Sequence, residues 1–178
     1  MTEPPKSSPA IFRASSQTGY NFSFMSLSLR PDLARTLAEI FLEEKDWTRT
    51  KARVLATNAL QCRSSKTAAR IERELRHRLE TLTAAQLRLL AAAPAEDRAA
   101  IAWLATLKHS RFAFEFAAEV LRDKIAVRDP ILRYSDFESF VELKSLLHQE
   151  LASLTPTARN RVRQVLQGML AEVGLIGV

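Results

Sequence analysis

Two stretches, AAIAWLATL at residues 99 to 107 and FAFEFAAEVL at residues 112 to 121, carry apolar side chains around nearly the whole circumference of a 3.6-residue helix. Helices of that kind have almost no face to give to water, so they belong at the centre of a bundle with other helices packed around them. The surrounding chain supplies those helices. Pro31 and Asp32 suit a first turn, opening a segment whose Leu33, Leu37, Ile40 and Phe41 share one face. Asp46 caps the next segment, with Trp47, Val54 and Leu55 on its apolar side. Thr83 to Gln86 (TAAQ) and Ser135 to Glu138 (SDFE) are capping-box patterns, the second opening a helix to about Gln149. Pro94 marks a break, and Thr155-Pro156 starts a last helix that repeats at Val162, Val165, Leu166, Met169, Leu170 and Val173 and stops at Gly174. With only four glycines and no strong hairpin signal, the pattern predicts an all-α bundle of seven to eight helices.

The segment from Ser64 to Leu82 carries a different message on each face. Ala68, Ile71, Leu75, Leu79 and Leu82 fall on one side, while Lys66, Arg70, Arg73 and His77 follow one another at i, i+4, i+7 and i+11 on the other. Between Lys45 and Arg78 there are ten Lys and Arg against three acids, a net of +7, whereas the whole chain carries +6. One segment therefore holds the basicity. Arg49 and Arg53, at i and i+4 on the preceding helix, extend the patch in sequence. The run Arg63-Ser64-Ser65-Lys66-Thr67 resembles the tail of a phosphate-binding loop, but it lacks the glycines and the preceding strand of a nucleotide site. Ser64 or Ser65 serves first as a helix cap, and a DNA phosphate on the same N–H groups is compatible with that role. A basic face of this kind suits a polyanion, contacted mainly through its phosphates.

Residues 1 to 18, rich in proline and serine, are expected to form a disordered tail, leaving residues 19 to 178 as a single all-helical domain. In YNFSFMSLSL (residues 20 to 29) apolar and polar residues alternate, which predicts an extended arm laid on the helical core, with a short strand as the rival reading. The one cysteine, Cys62, permits no internal disulfide and fits a reducing cytoplasm. No signal-peptide core or membrane-length apolar run is evident, so a soluble protein is expected.

The runs LEEKDWTRTKARVLATNALQCRSSKTAARIERELRHRL, KHSRFAFEFAAEVLRDK and LTPTARNRVRQVLQGMLAEVGLI resemble the BrxA family, accessory components of bacterial BREX phage-exclusion systems. The resemblance spans roughly residues 20 to 177. Its most specific marks are Asp46-Trp47, Arg63 to Arg70, Arg111-Phe112, Phe116 to Leu121, and the C-terminal stretch ending in Gly174-Leu175. It implies a fold similar to the transcription antitermination factor NusB, binding to double-stranded DNA in phage defence, and other BREX proteins as partners.

Signals for chemistry are weak. His77, His109 and His148 lack the tight pairing of a helical metal site, so no metal or cofactor is expected, and His77 reads as a surface group near phosphate. Trp47, Trp103, Phe112 and Phe116 read as core, while Arg159, Arg161 and Arg163 could extend a phosphate-binding surface, although three arginines on a terminal helix are more often solvated. Nothing pairs a nucleophile with a base, so the expectation is a binding protein and not an enzyme, with a monomer slightly favoured. The DNA-binding candidates are Arg49, Arg53, Arg63, Ser64, Ser65, Lys66, Arg70, Arg73 and His77. Docking of an acidic protein on the basic face is the alternative, and RNA binding a third. The acids Glu72, Glu74 and Glu80 would weaken the field, with Glu74 placed to bridge Arg70.

Overall fold

The computed structural model describes residues 19–176, so the proline-rich tail lies outside the described residues. Helices follow in the order α1 (Pro31–Glu44), α2 (Trp47–Ala56), α3 (Ser65–Leu79), α4 (Ala84–Ala92) and α5 (Ala95–His109). Then come α6 (Arg111–Phe116), a π-helical turn (Ala117–Leu121) that runs on into α7 (Arg122–Ala126), α8 (Tyr134–Ser145), the single turn α9 (Gln149–Ala152) and α10 (Pro156–Glu172). No strand occurs among the described residues. Counting the continuous α6–π–α7 segment once and setting aside the single turn, the described residues form eight helices, within the seven to eight that the caps and periodicity predict.

Local chemistry accounts for most of the boundaries. Asp46, Ser64, Thr83, Ser110 and Thr155 each accept a hydrogen bond from the N–H three residues on, satisfying a donor the first turn leaves open. Gly174 stops α10 at φ 76°, where a side chain would be strained. The expected Ser135–Glu138 capping box is not the one formed. Asp136 instead reaches back to the Arg133 N–H at 2.7 Å, and Ser135 already lies inside the first turn. α8 also stops short of Gln149, because the chain bends to bury Leu151 and to bring the Glu150 carboxylate onto the Tyr20 N–H.

Two apolar clusters share α5. Ile101 and Ala105 pack with Leu37, Val54, Leu75, Leu79 and Leu90 of α1 to α4. Ala102 and Trp103, on the other side of the same helix, pack with Phe112, Phe116, Phe137, Phe140, Leu166 and Met169. One cluster on each flank covers most of α5, while Leu104, at 36% exposed, still faces water.

Residues 20 to 29 do lie on the core, as an arm with a 3-10 turn at Ser23–Ser26 and with Tyr20, Phe24, Leu27 and Leu29 buried. The rival strand fails because its carbonyls are already claimed by side chains. The Arg78 guanidinium donates to Leu27 O at 2.6 Å, Ser28 O at 2.9 Å and Phe24 O at 3.4 Å, and Arg70 donates to Ser26 O at 2.9 Å. The Tyr20 hydroxyl donates to Glu115 Oε2 at 2.6 Å, and Phe24 stacks on Phe112.

Candidate nucleic-acid interface

α3 is delivered to the surface by a rigid connection. Asn58 and Gln61 both adopt left-handed backbone, and the Asn58 amide brackets Cys62, accepting from its N–H at 3.0 Å and donating to its carbonyl at 3.1 Å. Ser64 then caps the helix, its Oγ accepting from the Thr67 N–H at 3.2 Å and donating to Thr67 Oγ1 at 2.9 Å. Ser65 is the first helical residue, so the capping role falls to Ser64. Ala68, Ile71, Leu75, Leu79 and Leu82 are all buried, which puts the opposite side of α3 towards water.

On that side the expected cations divide by what already holds them. Arg63 and Lys66 are exposed and make no ion pair or side-chain hydrogen bond among the described residues. Arg73 is also exposed and has Glu74 at 3.7 Å; the carboxylate expected to bridge Arg70 thus sits beside Arg73. Arg70 leans towards the arm through Ser26. His77 is only half-exposed, its ring 6.2 Å from that of His109, which in turn meets Ser23 Oγ at 3.2 Å. Burial first, then the charges of His77 and Arg78, hold His109 below the usual histidine range. His77 therefore belongs to the seam between α3 and α5 more than to an open phosphate surface.

Arg49 and Arg53 do not extend an open basic patch. Arg53 bridges Glu43 at 2.6 Å and Glu44 at 3.0 Å, while Arg49 donates to the Glu44 carbonyl and lies 3.9 Å from its carboxylate. These acids end α1, just outside the window in which the charge sums to +7. Glu72, expected to weaken the field, is buried and paired with Arg76 at 2.9 Å.

Sequence reasoning passed over Arg78 as an ordinary member of the basic segment, yet it is 3% exposed. Burial pushes its guanidinium down to about 10, with Glu74 and Glu172 opposing the shift. A signal was present: seven residues from Ile71 is two turns less about 20°, which places Arg78 on the leucine face. The arginines of α10 also differ among themselves. Arg159 pairs with Glu138 at 3.2 Å, and Arg163 is held by Asn160 and Gln167 and lies over the Tyr134 ring. Arg161 instead shares a cavity with Arg30 and Arg70.

No group of His, Cys, Asp and Glu suited to a metal ion occurs among the described residues, and no helix there is long and apolar enough to cross a membrane. A sequence model of the BrxA family matches residues 18–177. The BREX protein BrxA of Escherichia coli O9:H4 (strain HS) is 29% identical over 143 residues, covering 80% of this chain and 67% of that protein. A crystal structure of an uncharacterized protein from Magnetospirillum magneticum superposes with a TM-score of 0.72 at 21% identity, covering 87% of this chain and 80% of the other, a likeness of fold.

Proposed function

Because the chain belongs to the BrxA family, we propose that it is an accessory protein of a bacterial BREX phage-defence system that binds double-stranded DNA in the cytoplasm. The observation that carries DNA binding is the exposure of Lys66 and Arg73 on α3, whose opposite face is sunk in the core and holds them on a rigid element, with Arg63 exposed just before its cap. Lys and Arg on such a surface neutralise phosphates and fix position without reading bases, so the proposed binding is tolerant of sequence. The role is non-catalytic and calls for no cofactor.

A mobility-shift titration of the protein against duplex DNA, single-stranded DNA and RNA at several salt concentrations tests this reading. Preference for duplex supports it. Preference for RNA, or no shift on any of the three near physiological salt, overturns it. A second reading, association with another BREX protein, draws on Val127, Leu143, Leu146 and Leu147, which are 60% to 83% exposed. Co-purification with co-expressed BREX proteins that is lost in Leu146→Ser/Leu147→Ser would favour it.

A further inference from the structure

We infer that the cavity between the arm, α3 and α10 is a seat for one phosphate group, gripped by Arg30, Arg70 and Arg161. On the proposed function, that phosphate belongs to the duplex backbone, and the inference rests on that reading for its source.

The cavity has a volume of about 380 Å³. The three arginines that line it come from the arm, α3 and α10, 40 and 91 residues apart in sequence, so the fold is what brings them to one cavity. Arg30 and Arg161 are exposed and have no ion pair or side-chain hydrogen bond among the described residues. Arg161 is singular on its own helix, since Arg159 and Arg163 on either side are both held by neighbours. Arg30 reaches the rim from φ 47°, a backbone conformation that side-chain-bearing residues rarely adopt, at the residue that introduces α1. Arg70 is steadied by donating to Ser26 O, which uses one of a guanidinium's five N–H donors and leaves others for a ligand.

One acid, Glu172, lines the cavity against the three arginines, so its charge is +2. Ile71 and Val165 form part of the wall, and apolar surroundings strengthen attraction for an anion. The guanidinium fork matches the oxygens of phosphate, and three arginines lining one cavity define a position where a single surface arginine defines none. The cavity therefore gives the footprint a fixed point at Arg70, on the same helix as the exposed Lys66 and Arg73.

The test compares the full chain with Arg161→Gln and with Arg88→Gln, which removes another exposed charge, from α4. Duplex affinity is measured across a salt series, and the side-chain Nε–H resonances of Arg30, Arg70 and Arg161 are followed as inorganic phosphate is added. If the seat holds a backbone phosphate, Arg161→Gln weakens duplex binding roughly fivefold near 0.15 M salt and lowers the salt slope by about one, while Arg88→Gln changes affinity by less than about twofold. Equal losses in the two variants overturn the seat and leave duplex binding standing. If the unaltered protein binds no duplex, the proposed function fails, and the phosphate titration decides the seat by itself. Saturable shifts of the three arginines, abolished in Arg161→Gln, then identify a site for free phosphate; no shifts reject it.

Discussion

A guanidinium with 3% of its surface exposed must satisfy its donors inside the protein, and Arg78 does so on three carbonyls of the arm. Truncation would strand those carbonyls and release the arm together. Arg78→Ala should cost about 2–4 kcal/mol in urea unfolding, against within about 0.5 kcal/mol for Lys66→Ala on the exposed side of the same helix. A second anchor is sensitive to pH. Burial works to raise the Glu115 carboxyl, but hydrogen bonds from Lys144, Tyr20 and Arg111 hold it at about 2, below its ordinary 4.5. The unfolded chain therefore binds a proton first as pH falls. Stability from this cluster is present above pH 4.5 and lost as pH drops towards about 2. Thermal melts from pH 6 to 2 should decline less steeply below pH 4.5 in Glu115→Gln than in the unaltered protein; parallel declines would show that this cluster does not carry the effect.

At the level of the helix, α3 shows which parts of a site can be read from sequence. Spacing at 3.6 residues per turn is a local property, so the leucine face, the exposed Lys66 and Arg73 and a cap at Ser64 or Ser65 were legible, and the structure places the cap at Ser64. The partners of those charges were not. Glu43 and Glu44 reach Arg53 only because α1 and α2 pack against each other, and Arg161 reaches the Arg70 cavity only because α10 crosses the arm. Summing charge along the chain counts Arg49 and Arg53 as free, misses Arg30, and does not tell Arg161 from its neighbours Arg159 and Arg163. Neutralising Arg49 and Arg53 together should accordingly lower the salt slope of DNA binding by less than one, whereas neutralising Lys66 and Arg73 together should lower it by about two. Equal effects of the two pairs in a salt titration would mean that Glu43 and Glu44 do not keep their arginines from DNA.

For the molecule as a whole, the fold was legible because each helix announces its own ends, while the division of the core was not. Both apolar clusters lie against α5, one through Ile101 and Ala105, the other through Ala102 and Trp103. The arm packs against both α3 and α10, which brings Arg30, Arg70 and Arg161 to one cavity. On the proposed function the face carrying these cations binds duplex DNA through its phosphates, and the dependence of duplex affinity on salt measures that directly. With Arg49 and Arg53 engaged, the remaining candidates are Arg63, Lys66, Arg70 and Arg73, joined by Arg30 and Arg161. Neutralisation of about four to five phosphates gives a slope of log K against log salt of roughly −4. That slope should shrink to about −2 when Lys66 and Arg73 are both changed to Gln, with the melting temperature nearly unchanged. A slope near zero, or one that the double substitution leaves untouched in a folded protein, would contradict the claim.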